Sequence, residues 1–192
     1  MRGDLGAGRG EVHEKAAAVL DFWFGDVPAD RHFAQDEALD RAIASRFGAL
    51  LETVLWSGAA GWRDDRDSVL AAIILIDQFS RNIHRGSARA FAGDALALDL
   101  ARIAIERAWD EDMEPERRAF LYMPLMHAED REIQTLSLAM FERLGDEEQL
   151  HYAREHAEVI ARFGRFPSRN AALGRASTPA EEDYLSRPGA GW

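Results

Sequence analysis

The sequence predicts an all-α protein, an antiparallel multi-helix array, and three observations support this. Hydrophobic residues recur at steps of three and four from about residue 12 to residue 186, as they do along one face of a helix. No convincing period-two alternation, the pattern of a half-buried strand, interrupts them. Capping residues, Gly and Pro divide the chain into about eight segments with short connections, which favour antiparallel neighbours.

The first three helices are predicted in the N-terminal half. One runs from about Val12 to Phe24, and a second begins near Asp36 and ends at Ser57-Gly58. The third, Ser68 to Phe79, is apolar on all sides, which is typical of a buried central helix. A buried strand across Ile73 to Ile76 is the alternative for that segment.

The C-terminal half contains the remaining helices. Residues 92–109 form one amphipathic segment, and Pro115 stands in the first turn of the next helix, where proline is tolerated. Pro124 is expected to kink that helix near its end. The other helices are marked by their caps: Asp130 to Leu144, Asp146 to Gly164, and a short helix opened by the capping box Thr178-Pro179-Ala180-Glu181.

Composition limits the class of protein. The 192 residues, 47% of them hydrophobic, suit a single all-helical domain over residues 11–192, after a Gly-rich and flexible segment over residues 1–10. Without cysteine there can be no disulfide, thiolate metal site or cysteine nucleophile. We expect a cytoplasmic protein, because no signal-peptide core is present near the N-terminus.

Charge and hydropathy narrow the partners. The longest apolar run, Val69 to Ile76, is far shorter than the roughly 20 residues of a membrane-spanning helix, so no membrane segment is expected. The net charge of −11 opposes binding to a phosphate backbone, so we expect no nucleic-acid partner. The oligomeric state is not predicted.

The first polar segment, residues 77–86, follows the apolar helix directly. Asp77 stands at the edge of the predicted core and needs a partner there, and Arg81 lies one turn later. In a ligand site formed by Asp77, Arg81, Asn82 and Arg85, the two arginines would hold an anionic group. In a purely structural interpretation, Asp77 pairs with Arg81, and Asn82 ends the helix in the left-handed conformation.

The second polar segment, residues 122–130, follows the proline kink. His127 is the candidate general base, and Glu129 or Asp130 would orient it. Both acids also have a structural explanation, because Asp130 suits the N-cap of the next helix and Glu129 lies near its positive end. Glu148 and His151 have half of a di-iron spacing without the other half, so neither a metal site nor a cofactor is expected.

The third polar segment, residues 162–175, contains four arginines in a loop with glycine and proline. Arg165, Arg169 and Asn170 are candidate ligands for an anion. Alternatively, the arginines offset the negative helix end and pair with acids elsewhere in this acidic chain.

A short pattern occurs twice in the chain. Residues 78–82 are QFSRN and residues 166–170 are FPSRN, and each is followed by a glycine, Gly86 or Gly174. Repeated helix pairs, as in tetratricopeptide-like solenoids, would produce such an echo, although the signature of that repeat is absent.

The chain resembles a bacterial family of unknown function, domain of unknown function 924, over nearly its whole length. The resemblance is carried by residues 19–25 (VLDFWFG), 77–82 (DQFSRN), 120–125 (FLYMPL), 127–130 (HAED), 162–167 (RFGRFP) and 177–179 (STP). It implies a tetratricopeptide-like helical fold and no established activity. The family pattern has proline at Ser80, glutamate at Met126, aspartate at Ile133 and histidine at Ser168, so a function that needs those groups is not expected here.

Three functions remain open at the level of sequence. The first is a helical protein that binds a small anionic molecule or a peptide in a pocket, lined by Arg81, Asn82, His127, Glu129, Arg165, Arg169 and Asn170. The second is a hydrolase or transferase that acts on an anionic substrate with His127 as general base. The third is a scaffold for protein–protein interaction.

Overall fold

The computed structural model describes residues 5–191, with side chains from residue 10 onwards. Over this range all regular secondary structure is helical, which confirms the all-α prediction. The alternative strand across residues 73–76 is wrong, because these residues continue a helix. The flexible segment expected over residues 1–10 stays a prediction, since residues 1–4 lie outside the described part of the chain.

Helices of three types make up the N-terminal half. They are α1 (Leu5–Asp21), a π-helical turn (Phe22–Asp26), a 3-10 turn (Ala29–Arg31), α2 (Glu37–Trp56), α3 (Arg66–Ile73), a π-helical segment (Ile74–Phe79) and α4 (Ser80–Ile83). The segment α3, the π-helical residues and α4 follow one another without a break. The predicted start of α2 is confirmed, because the Asp36 side chain accepts hydrogen bonds from the first turn.

The C-terminal half is α-helical with two short 3-10 turns. Its elements are a 3-10 turn (Ala88–Phe91), α5 (Asp94–Glu106), α6 (Pro115–Met126), α7 (Arg131–Leu144), α8 (Glu147–Phe163), a 3-10 turn (Pro167–Arg169) and α9 (Pro179–Leu185). Asp130, Asp146 and Thr178 cap α7, α8 and α9 as predicted. None of the described helices is both long and apolar enough to cross a membrane.

The central element of the core is the helix from α3 through the π-helical segment. Every residue from Ser68 to Ser80 is buried, and this helix packs against α1, α2, α5 and α6. Further along the chain, consecutive helices pack in pairs, α5 with α6, α6 with α7 and α7 with α8. The polar residues Asp77 and Gln78 therefore lie inside the packed core.

The π-helical geometry of residues 74–79 distinguishes this segment from an ordinary helix. π-helical turns are rare and occur often at functional sites. Hydrophobic periodicity does not separate a π-helical turn from an α-helix in a segment that is apolar on all sides, so the sequence analysis predicted an ordinary helix here. Asp77 lies within this segment and is therefore a candidate functional residue.

The predicted helix end at Asn82 is wrong. Asn82 lies inside α4, and the left-handed residue that follows is Gly86, with φ of +74°. Glycine adopts this conformation without the steric cost that a Cβ imposes. The Asn82 side chain is therefore not needed for the turn and bonds elsewhere.

Gly93, the residue before α5, is required by close packing. Its φ is −96°, a value open to any residue, but a Cβ there would lie 2.2 Å from Cγ2 of Ile76 and 2.9 Å from Cδ2 of Leu55. The start of α5 is thus pressed against the π-helical segment. This contact fixes the position of the next residue, Asp94.

We expect Gly93→Ala to lower the free energy of unfolding by about 1–3 kcal/mol, because the added methyl group overpacks the contact with Ile76. Gly48→Ala is the matched control: Gly48 lies within α2 with no neighbouring atom near a new Cβ, so the change should stabilise by about 0.5–1 kcal/mol. Urea unfolding of both variants measures the difference. Equal effects of the two changes would contradict the steric argument.

Candidate functional site

The three polar segments of the sequence meet at the end of the central helix. Oδ1 of Asp77 lies 2.7 Å from Nδ1 of His127, which brings the first segment to the second. Arg169, from the third segment, donates a hydrogen bond of 2.9 Å to the backbone carbonyl of His127. We call the group formed by Asp77, Arg81, Asp94, His127 and Arg169 the Asp77 site.

Asp77 is fully buried, and both of its oxygens are bonded. Oδ1 contacts His127 and lies 3.0 Å from the Arg81 guanidinium, while Oδ2 accepts a hydrogen bond of 2.5 Å from the Gln78 amide. Burial by itself would raise the pKa of Asp77, but the positive charge of Arg81 and the hydrogen bonds from His127 and Gln78 outweigh it. The pKa of Asp77 lies well below its usual range, so the carboxyl group is ionised.

His127 follows the last turn of α6, three residues after Pro124, which has no backbone N–H to donate within the helix. Its Nδ1 must carry the proton, since the Asp77 carboxylate can only accept. Nε2 is then the basic nitrogen, and no described residue hydrogen-bonds it. The side chain is 16% exposed, so the ring can be reached from solvent.

One carboxylate joins the two arginines of the repeated pattern. Arg81 binds both oxygens of Asp94 at 3.0 Å, and Arg169 binds Oδ2 of Asp94 at 3.0 Å. The arginines of the two Ser-Arg-Asn copies, which are far apart in the sequence, therefore bind the same carboxylate. The sequence singled out both arginines but gave no reason to choose Asp94 among the acids that begin helices.

The guanidinium of Arg169 contacts two aromatic rings and donates two hydrogen bonds. It lies 4.8 Å from the ring centre of Phe91 and 4.6 Å from that of Phe166. Stacking of this kind fixes the plane of the guanidinium. Of its five N–H groups, two donate to described residues, to Asp94 and to the carbonyl of His127.

Glu129, Asn170 and Arg165 form a second polar cluster next to the Asp77 site. Glu129 binds Arg175 through both oxygens, at 2.6 and 2.9 Å, and accepts from the backbone N–H of Phe166 at 2.8 Å. Arg175 also donates to Asn170. Arg165 binds both oxygens of the buried Glu181, at 2.6 and 2.8 Å, which attaches α9. These residues stabilise the loop that presents Arg169.

The other predicted residues have separate partners. Asn82 and Arg85 both donate to Asp40 of α2, which ties the end of α4 to that helix. The Asp130 carboxylate accepts from the first turn of α7 and is therefore an N-cap. The expectation that Glu129 or Asp130 orients His127 is not met, because Asp77 occupies that position. Gln78 and Asp94 are the members of the network that the sequence did not single out.

His156 of α8 lies beside the Asp77 site, with its ring centre 5.9 Å from that of His127. It is 6% exposed, and its Nδ1 donates to the backbone carbonyl of Tyr152 at 2.8 Å. Burial lowers the pKa of His156 from its ordinary value of 6.5 to about 3. His156 is therefore neutral at ordinary pH.

Two surface cavities lie outside the Asp77 site. One of about 280 Å³ lies where α8 meets α9, beside Phe163 and Tyr184. The other, about 430 Å³, is a groove between α1 and α2, beside Lys15 and Arg46. Among the described residues, no group of three or more His, Asp and Glu side chains is placed to hold a metal ion. Neither of these two cavities is lined by a residue of the Asp77 site.

The pKa of His156 predicts a pH dependence of stability. Its folded pKa of about 3 lies below the ordinary value of 6.5, so the unfolded chain binds more protons between these limits, and stability falls as the pH drops below 6.5. We expect wild type to lose about 1.4 kcal/mol per pH unit relative to His156→Gln in this range.

Urea unfolding at several pH values between about 5 and 6.5 measures that slope, and the contribution of the carboxylates that both proteins share cancels in the difference. The control is His151→Gln, an exposed histidine of the same helix, which should keep the wild-type slope. If His156→Gln and wild type had the same slope, the buried neutral histidine would be refuted.

The comparisons with known proteins agree with this fold. A family model described as a bacterial protein of unknown function (DUF924) matches residues 19–189. A solved structure, that of the protein of unknown function ATU0120 from Agrobacterium tumefaciens, is similar with a TM-score of 0.86 and 38% identity, over 91% of this chain and 98% of that one. No curated protein matches the sequence. The chain therefore belongs to the DUF924 family, whose function is unknown.

Proposed function

We propose that the protein is an enzyme, a hydrolase or transferase, that acts on a small anionic substrate with His127 as general base. One observation carries the proposal: the buried, ionised Asp77 contacts Nδ1 of His127 at 2.7 Å, while Nε2 has no described partner. A carboxylate that fixes the tautomer of a histidine and leaves its other nitrogen available is the arrangement found in acid–base catalysis.

The proposed chemistry follows from the two nitrogens of the ring. Nε2 would accept the proton of an attacking water or substrate hydroxyl, and the imidazolium that forms would be stabilised by the ionised Asp77. Asp77 would stay ionised throughout, because Arg81 and Gln78 continue to bind it. Gln78 is thus a positioning residue, which acts on His127 only through Asp77.

Arg169 is the proposed anchor for the anionic part of the substrate. Three of its N–H groups have no acceptor among the described residues. Its hydrogen bond to the backbone carbonyl of His127 ties the guanidinium to the residue that carries the proposed base. Phe91 and Phe166 hold its plane, so little side-chain entropy is lost when an anion binds. Binding and proton transfer would then occur on one surface.

A binding protein without catalysis is the second candidate. It is favoured by the fact that Arg81 is already paired with Asp77 and Asp94, and Arg169 with Asp94, as they would be in a stabilising network. In that case the ligand would contact the same surface, and His127 would serve only as a hydrogen-bonding group. The two candidates differ in whether a bound compound is converted.

We also infer a tetratricopeptide-like arrangement and a bacterial, cytoplasmic origin. Consecutive packing of α5, α6, α7 and α8 supports the first, because helical repeats stack in this way. The family description supports a bacterial origin. A chain without cysteine has no need of an oxidising compartment, which supports a cytoplasmic location.

The test is a thermal-shift screen against carboxylic acids, carboxylic esters, phosphate monoesters and short peptides, followed by a turnover assay of each compound that stabilises the protein. For a converted compound, we expect His127→Gln to lower kcat/KM by about 10²- to 10⁴-fold, because the general base is lost. The exposed His151→Gln should leave kcat/KM unchanged. Conversion at the wild-type rate by a folded His127→Gln variant would rule out His127 as the base.

A further inference from the structure

We propose that the Asp77 site binds a carboxylate monoanion and takes up one proton on Nε2 of His127 as it does so. The proposal deepens the proposed function, on which it rests for the location of the site.

The charges of the Asp77 site cancel before any ligand is present. Arg81 and Arg169 each carry one positive charge, and both are bound to Asp94, while Arg81 is also bound to Asp77. The neighbouring Glu129 is paired with Arg175. The two arginines and two aspartates thus form a neutral group, and the imidazole of His127 adds no charge while Nε2 is bare.

A bound anion would add a negative charge to this neutral and largely buried group. The Arg169 side chain is 12% exposed and that of His127 is 16% exposed, so an added negative charge would be poorly solvated. A proton on Nε2 cancels one negative charge and no more. A monoanion with one proton leaves the site neutral, whereas a phosphate dianion leaves one negative charge uncompensated.

The donors next to His127 also suit a carboxylate. Arg169 retains three N–H groups without described acceptors, fixed in one plane by Phe91 and Phe166. A planar guanidinium edge matches the two oxygens of a carboxylate. With Nε2 protonated, the His127 ring supplies a further charged hydrogen-bond donor.

The other ionisable groups around His127 do not take up the proton that accompanies the ligand. Asp77, from the π-helical segment, is held ionised by Arg81 of α4. His156, from α8, resists protonation because it is buried. Arg169, from the 3-10 turn, is already charged, and Glu129, from the loop after α6, is paired with Arg175. Nε2 of His127 is therefore the atom that would take up the proton.

The test measures the binding of acetate by calorimetry or by NMR shifts of the His127 ring, from about pH 5.5 to about pH 8.5. We expect the Kd of acetate to rise with pH, by up to about tenfold for each pH unit, the slope that one linked proton requires. Inorganic phosphate should bind more weakly than acetate at the upper end of this range. N-acetylalanine and its amide separate a carboxylate from the rest of a peptide, and only the acid should bind.

The variants give the decisive comparison. His127→Gln should remove the pH dependence, and His151→Gln should keep it. The proposal is overturned if wild type binds acetate with a Kd that does not change with pH, if phosphate binds more tightly than acetate at high pH, or if acetate does not bind at any pH. Proton-linked binding of acetate with no compound converted would instead overturn only the catalytic function.

Discussion

The burial of one ionised carboxylate, Asp77, is the constraint on which the polar part of this structure depends. It stands in the most buried helix of the chain, and an unpaired charge there would cost several kcal/mol. The fold supplies Gln78 from the same segment, Arg81 from the next turn and His127 from the end of α6. Because His127 is one of these partners, the same contact that stabilises the carboxylate also sets the tautomer of the histidine.

The second half of the network extends this charge balance to the C-terminal part of the chain. Asp94 is fixed by the close contact of Gly93 with the central helix, and it accepts from both Arg81 and Arg169. Arg169 is presented by a loop that Glu129 and Arg175 hold in place. A network in which every charged group is paired is compatible with a purely structural role and with a prepared ligand site. Uptake of a proton by Nε2 of His127 on ligand binding would distinguish the second role from the first.

Three of the four positions at which the resemblance implies a departure from the family pattern directly precede members of the Asp77 site. Ser80 precedes Arg81, Met126 precedes His127, and Ser168 precedes Arg169. The hydroxyl of Ser80 is buried without a hydrogen-bond partner among the described residues. The proposed chemistry uses none of the side chains at these three positions.

The sequence by itself determined where α2, α6, α7, α8 and α9 begin, because an N-cap such as Asp36 or the capping box at Thr178 acts within one helical turn. It also indicated that His127, Arg81 and Arg169 belong to polar segments. Only the tertiary structure decided their partners. Asp77 and His127 are 50 residues apart, and Asp94 and Arg169 are 75 apart, so no local rule relates them. The π-helical turn that carries Asp77 likewise depends on packing from all sides, which the apolar pattern of the sequence does not specify.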